Sequence, residues 1–292
     1  MNIKNSFHPY AMVTILFWSL AYVLTRLTLQ YFTAFSLGFL RYLTASLALV
    51  VVAVILKIRP PRKKDLPVFL LSGAVGFFLY MVAFNQGQAA VTAATASVVI
   101  ATAPVITALF ARFLYGEKLR VYQWVAIVVE FCGVVVLTLM NSTFSVNAGL
   151  FWLLIAALAL GIYNLLQRKL TQTYSALQCS TYSIFFGTAL LAVFSPAAAR
   201  EIVRAPAIQF LYLAVLGIFS SAIAFVAWAK AFSKAKQTSQ VSNYMFVTPF
   251  LTSILGFLLA GEVPDKATLV GGGIILIGVL LFNFGGRLCK QK

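Results

Sequence analysis

Acidic side chains are scarce in this chain of 292 residues. Six Asp and Glu residues stand against 22 Lys and Arg residues, and charged residues make up only 10% of the composition. So few charges exclude an ordinary soluble domain, in which about a quarter of the residues are charged. The net charge of +16 does not indicate a nucleic-acid partner, because the basic residues follow the ends of apolar segments instead of forming one stripe.

Metal-binding and nucleophilic residues are equally rare. The chain has three cysteines and one histidine, and Cys132, Cys179 and Cys289 show neither metal-ligand nor disulfide spacing. The single histidine, His8, is expected to lie outside the membrane and to lack partners, and no nucleophile–base pattern occurs anywhere in the chain. We therefore predict no metal site, no cofactor and no enzymatic activity.

Apolar residues are what the chain has in abundance, at 62% of the sequence. A helix that crosses a bilayer needs about 20 of them in succession. Ten stretches meet this need, so we predict an all-α integral membrane protein with ten transmembrane helices. They are residues 10–29, 34–56, 66–88, 91–114, 121–140, 148–168, 176–194, 208–230, 239–260 and 267–287.

The distribution of basic residues predicts how the chain lies in the membrane. If the N-terminus is cytoplasmic, 17 of the 22 Lys and Arg residues fall on the cytoplasmic side. Cytoplasmic loops are enriched in these residues. An even number of spans then returns the C-terminus to the same side. We expect a multi-pass protein of the cytoplasmic membrane with both termini in the cytoplasm.

Two segments of the chain have matching sequences. SVVIATAPVITALFARFLYGE (Ser97–Glu117) aligns with SNYMFVTPFLTSILGFLLAGE (Ser242–Glu262) at an offset of 145, and a weaker match relates Trp18–Arg26 to Leu160–Arg168 at an offset of 142. Each half would contain five spans, so the second half must insert upside down. We predict two inverted repeats of five helices, residues 1–145 and 146–292, which is a common plan of secondary transporters.

These motifs carry a resemblance to a known family over essentially the whole chain. WSLAYVLTR in the first span, Arg41 early in the second, and the two blocks that run from proline through threonine to Gly–Glu resemble EamA-type transporters of the drug/metabolite transporter superfamily. Ser19 stands where that family usually has glycine. The resemblance implies a ten-helix carrier, built from two EamA repeats, that moves a small metabolite across the cytoplasmic membrane, often outward.

Matching prolines predict where the helices change direction. Pro104 and Pro249 occupy equivalent places in the two segments. A proline inside a helix removes one backbone hydrogen bond, so the carbonyls of Ile100 and Met245 should lose their partners. We expect hinges here, with a static kink as the alternative. Gly116 and Gly261 close the same two segments and are expected in the left-handed conformation that ends many helices.

Polar and aromatic residues inside the spans are the candidates for substrate binding. Indole, phenol and amide groups can stack on a ligand or hydrogen-bond to it, although tryptophan and tyrosine also mark membrane interfaces. Ser97 lies on a face of small residues beside the first proline. The predicted substrate-binding residues are Trp18, Tyr22, Arg41, Tyr80, Asn85, Ser97, Asn164, Trp228, Asn243 and Tyr244.

Two charged residues inside the spans have alternative explanations. Arg41 either clamps an anionic group or helix-end carbonyls, or extends its charge to the outer surface. An arginine at that depth costs about 2.5–3.5 kcal/mol on insertion scales. Glu130 is the only acid near the middle of a span. It is a candidate proton site, with a protonated hydrogen bond between helices as the alternative.

The resulting functional hypothesis is a secondary transporter that works by alternating access around a midplane cavity. We expect export of a small metabolite, such as an amino acid or a related amphipathic compound. One alternative is a proton-coupled efflux carrier for drugs or cations, and another is a passive channel for small solutes. The expected partners are the small-molecule substrate and the lipid bilayer, and a coupled proton is left open.

Overall fold

The computed structural model describes residues 6–139, 148–261 and 266–288. These residues fold into helices joined by short connections, and none of them forms a β-strand. Glu262, at the end of the second repeat segment, and Cys289, one of the three cysteines, lie outside the described residues.

The helices of the first half follow the predicted spans closely. Most boundaries fall within a few residues of the expectation, but the fourth predicted span consists of two shorter helices. In order they are α1 (His8–Thr28), α2 (Ala34–Ile55), α3 (Lys63–Ala90), α4 (Ala93–Ile100), α5 (Ala103–Tyr115) and α6 (Val121–Leu139).

The second half repeats this order, including an interruption in its fourth span. Its helices are α7 (Ala148–Leu170), α8 (Ala176–Ile202), α9 (Ala207–Lys234), α10 (Thr238–Ser242), a 3-10 segment (Asn243–Val247), α11 (Thr248–Ala260) and α12 (Lys266–Leu288).

Eight helical segments are long and apolar enough to cross a membrane. Two further helices, α6 and α12, pack along each other. Their apolar stretches in the described part of the chain, Val121–Gly133 and Leu269–Phe282, are shorter than a full span. The all-helical membrane fold is therefore confirmed.

Local sequence explains where several helices begin and end. The Thr33 hydroxyl accepts a hydrogen bond from the Ser36 backbone and caps α2, and Ser175 forms a capping box with Gln178 at the start of α8. At the other ends, Gly116 has φ of 61° and Gly261 has φ of 68°. This left-handed geometry confirms the prediction for both glycines.

Two of the long helices contain a π-helical segment near mid-span. Ala74–Leu79 interrupts α3, and Val215–Ile223 interrupts α9. Such segments often occur at functional sites, because they change the direction in which the following side chains point. Gly76 of the first segment packs so closely on α7 that an added Cβ atom would lie 2.1 Å from Cδ2 of Tyr163.

The packing places α1 and α7 at the centre of the bundle. Helix α1 packs against α9 and α11, and α7 packs against α3 and α5. Helices α2 and α8 contact each other and flank this centre, whereas α6 and α12 form a pair. The largest cluster of buried apolar residues draws on both halves of the chain.

Candidate functional site

A small cavity lies where the central helices of both halves converge. Its volume is about 20 Å³, which is room for about one water molecule. It is therefore closed to anything larger in this conformation. Its lining residues are Trp18, Ala21, Tyr22, Arg41, Tyr80, Phe84, Ser97, Ile100, Ala101, Leu160, Phe225, Met245 and Thr248.

Five of the ten predicted binding residues line this cavity. Trp18 and Tyr22 come from α1, Arg41 from α2, Tyr80 from α3 and Ser97 from α4. All five side chains are at most 9% exposed. Four separate helices thus bring these residues to one cavity. Their spacing along the sequence does not predict that they meet.

Aromatic rings form much of the wall. The indole of Trp18 lies 5.0 Å, centroid to centroid, from both Phe225 and Trp228. Tyr22 meets Phe84 edge-on at 5.1 Å. The indole N–H of Trp18 is buried, and no acceptor for it exists among the described residues. A donor without a partner in an apolar setting is costly, so it is poised to bond a ligand or water.

Arg41 is the one cationic residue in the cavity lining. It is 3% exposed, and its Nε atom donates a hydrogen bond of 2.8 Å to Ser221 Oγ. Its Nη2 atom lies 3.5 Å from the Ser220 carbonyl, and the guanidinium carbon lies 5.9 Å from the Tyr42 ring centroid. The side chain is therefore held inside the bundle by α9, and it does not extend to the surface.

The four described acids all have other partners. Glu117 accepts hydrogen bonds from the Thr238 backbone and hydroxyl at the start of α10. Glu201 accepts from Thr33 at the start of α2. Asp65 accepts from a tyrosine hydroxyl, and Glu130 from an amide. In the described part of the chain, Arg41 consequently has no carboxylate partner.

Three of the remaining predicted residues form hydrogen bonds away from the cavity lining. Asn85 donates a 2.8 Å bond to the Ala34 carbonyl and so ties α3 to α2. Asn164 donates to Thr107 Oγ1 at 3.1 Å and accepts from the Trp228 indole at 2.9 Å. These bonds connect α5, α7 and α9, and they include Trp228, whose ring lies next to that of Trp18.

The other two predicted residues, Asn243 and Tyr244, belong to the 3-10 segment before α11. Asn243 donates a 2.9 Å hydrogen bond to Oε1 of Glu130, which is fully buried on α6. The Tyr244 hydroxyl pairs with Nδ1 of His8, so the expectation that His8 lacks partners was wrong. Neither side chain is among those that line the cavity, and Glu130 itself is not part of the lining.

Both prolines stand at helix starts next to the cavity. Pro104 lies in the first turn of α5 and Pro249 in the first turn of α11, where a missing N–H costs nothing. The expectation for Met245 was wrong: its carbonyl accepts a 3-10 hydrogen bond from the Thr248 N–H. Ile100, Ala101, Met245 and Thr248, which flank the two interruptions, all line the cavity.

Sequence reasoning missed the apolar part of the lining. Phe84, Leu160 and Phe225 carry no polar group, and each is one of many similar residues in an apolar helix. One available signal was spacing: Phe84 follows Tyr80 by four residues and Phe225 precedes Trp228 by three, so each shares a helix face with a predicted residue.

Comparison with known proteins gives the chain its family. Residues 6–139 and 147–284 each match the EamA-like transporter family. A probable terminal-alkyne amino-acid exporter of Streptantibioticus cattleyicolor is 31% identical over 93% of this chain and 91% of its own length. An S-adenosylmethionine uptake transporter of Rickettsia bellii is 26% identical over 89% of this chain and 87% of its own length.

A solved structure supports the same fold. A crystal structure covering 96% of this chain and 97% of its own length superposes with a TM-score of 0.77 at 20% sequence identity. Because both halves of the chain match one transporter family, and named relatives cover nearly all of it, the resemblance read from the motifs is confirmed. The chain belongs to the EamA-like transporter family.

Proposed function

We propose that this protein is a secondary transporter that exports small amphipathic metabolites bearing a carboxylate, such as amino acids, across the cytoplasmic membrane. The substrate binds in the central cavity and is released by alternating access between two inverted repeats, residues 1–145 and 146–292. The named relatives include both an exporter and an uptake transporter, so the outward direction rests on the more similar of the two.

The observation that carries this proposal is that Arg41 is buried beside the cavity and has no carboxylate partner among the described residues. Removing a cation from water costs several kcal/mol unless an opposite charge or several hydrogen bonds compensate. The bonds to Ser220 and Ser221 use Nε and Nη2 and leave Nη1 for a ligand. A substrate carboxylate at Nη1 would supply the missing charge, while Trp18, Tyr22 and Tyr80 would enclose the rest of the molecule.

Helix packing supports the inverted repeats. Helix α1 packs against α9 and α11, and α7 packs in the same way against α3 and α5. Each half thus places its first helix against the third and fourth spans of the other half. An exchange of this kind is expected when two copies of one unit are related by a two-fold axis in the membrane plane.

Two arginines at equivalent places in the repeats make equivalent contacts. Arg26, near the end of α1, donates a 2.9 Å hydrogen bond to the Val91 carbonyl just after α3. Arg168, near the end of α7, donates to the Phe232 and Ala235 carbonyls at the end of α9, at 2.6 and 2.7 Å. With ten spans these two ends lie on opposite membrane faces, and both termini are cytoplasmic.

The interruptions in the fourth span of each half supply the hinges of this mechanism. Residues next to the breaks before Pro104 and Pro249 line the cavity. Rotation at either break would open a path to one face while the other stays sealed. A passive channel needs a continuous polar path, whereas this cavity holds about one water and is walled by aromatic rings.

Proton-coupled efflux of cationic drugs is the less favoured function. Its candidate proton site, Glu130, bonds Asn243 and stands apart from the cavity. The cavity itself presents the positive charge of Arg41, which would repel a cation. Glu130 and Asn243 instead join α6 to the 3-10 segment, and we assign them a structural role.

The proposal is tested by the binding of matched ligands. Thermal melting of the purified protein should shift upward with amphipathic amino acids such as phenylalanine, because a ligand that binds only the folded state stabilises it by about 2.7 kcal/mol at one hundred times Kd. Phenylalaninamide, which lacks the carboxylate, should give no shift. Equal shifts with both compounds, or a larger shift with the amide, would refute the carboxylate site.

A further inference from the structure

A second void lies on the outside of the bundle, among α1, α2, α8 and α9. Its volume is about 690 Å³, many times that of the central cavity, and its lining is almost entirely apolar. We call it the lateral groove. Val13 and Ile223 on its walls are each 41% exposed, so the groove opens toward the surroundings of the bundle.

The length of the lateral groove matches one leaflet of a bilayer. At one end are Tyr10, near the start of α1, Ala176, the first residue of α8, and Lys230, in the last two turns of α9. At the deep end is Ile218, twelve residues before Lys230. Twelve helical residues extend about 18 Å, and half of the hydrocarbon core is about 15 Å thick.

Positive charge is concentrated at the shallow end of the groove. Lys230 is part of the lining, and Lys234 follows it by four residues on the same face of α9. The Lys234 ammonium lies 5.7 Å from the centroid of Tyr10, which also lines the groove. An anionic headgroup at this end would therefore meet two lysines.

Another surface void shows that this charge is not common to all grooves of the bundle. It lies between α2 and α8, has a volume of about 350 Å³, and is lined by residues such as Phe39, Leu43, Val50 and Phe185. Within the described chain, its lining carries no charged side chain. Any acyl chain would fit such a surface, whereas the lateral groove combines an apolar trough with an ammonium group in its lining.

We propose that the lateral groove binds an anionic phospholipid. One acyl chain lies in the trough from Ala176 to Ile218, and the phosphate contacts Lys230 and Lys234. Apolar surface at this depth faces hydrocarbon, so a lipid chain is the occupant already present, and the two lysines select the headgroup. With the orientation proposed above, this lipid belongs to the cytoplasmic leaflet.

Native mass spectrometry of the full chain tests this site directly. The protein is equilibrated in detergent with equal amounts of dioleoylphosphatidylglycerol and dioleoylphosphatidylcholine, and the ratio of the bound lipids is measured. The wild type should favour the anionic lipid. Lys230→Gln should reduce that preference about fivefold, the contribution of one lysine near a membrane surface.

The control for charge is Lys169→Gln. Its neighbour Arg168 bonds the carbonyls at the end of α9, so Lys169 lies on the same membrane face, and it does not line the groove. This variant should keep the wild-type preference. Equal losses in the two variants, or none in Lys230→Gln, would overturn the headgroup assignment.

A pair of tryptophan substitutions tests the trough itself. Ile223→Trp fills the groove and should remove about one bound lipid of either kind, whereas Leu47→Trp, at a lipid-facing position that is 61% exposed and outside the lining, should not. An unchanged lipid count in Ile223→Trp would overturn the proposal. Displacement of the lipid by phenylalanine would also overturn it, because the groove would then be a substrate site.

Discussion

Replacing Arg41 with Met is expected to raise the amino-acid concentration for half-maximal counterflow by about 10- to 150-fold in proteoliposomes. The substitution removes the charge-assisted hydrogen bond to the substrate carboxylate, and such bonds contribute about 1.5–3 kcal/mol. The free energy of unfolding should change by no more than about 1 kcal/mol. The lost bond to Ser221 is offset because an uncompensated buried cation is no longer present.

Two further variants separate charge from geometry at this site. Arg41→Lys keeps the positive charge but loses the planar guanidinium, which can hydrogen-bond to Ser221 and to the ligand at the same time. This variant should therefore recover only part of the affinity. Arg112→Met removes an exposed charge at the far end of α5 and should behave like the wild type. A wild-type half-maximal concentration in Arg41→Met would exclude Arg41 as the carboxylate site.

Replacing Gly76 with Ala is expected to lower the free energy of unfolding by about 3 kcal/mol. The new methyl group would lie 2.1 Å from Cδ2 of Tyr163. This ring is fully buried, and its centroid lies 5.2 Å from that of Phe77 and 5.6 Å from that of Phe225. Because it has no free space to enter, the overpacking cost should lie at the upper end of the usual range of about 1–3 kcal/mol.

The matched control is Gly273→Ala on α12, where, apart from the surrounding backbone of the same helix, no described heavy atom lies within 4 Å of the added Cβ. It should be neutral or stabilise the protein by up to about 1 kcal/mol. Adding Tyr163→Ala to Gly76→Ala should cost less than the sum of the two single changes by about 1 kcal/mol or more. Additive losses in thermal melting, or a stable Gly76→Ala protein, would contradict the packing of α3 on α7.

The membrane fold could be predicted from the sequence because it follows from long-range composition. Runs of about 20 apolar residues fix the spans, and the predicted 34–56 became Ala34–Ile55. The left-handed glycines were also predictable, since Gly116 and Gly261 each end an apolar run. The π-helical segments were not, because the residues in Ala74–Leu79 favour an ordinary helix equally well and only packing distinguishes the two.

The candidate site was predictable only where a polar, charged or large aromatic residue stands inside an apolar membrane span. Trp18, Tyr22 and Arg41 stood out in apolar spans, and all three line the cavity. Asn164 and Trp228 stood out in the same way but bond to each other. Sequence alone cannot tell a side chain that faces the cavity from one that satisfies a neighbour, because that depends on how α7 and α9 are rotated.

Alternating access requires the central cavity to open toward each membrane face in turn, and cysteine labelling detects such openings. Ala101, which lines the cavity and is 1% exposed, is replaced by Cys in a variant whose three native cysteines are changed to Ser. A membrane-impermeant thiol reagent is then applied to right-side-out and to inverted vesicles. Alternating access predicts labelling from each face, with phenylalanine slowing both reactions. Labelling from only one face, or equal rates with and without the amino acid, would contradict it.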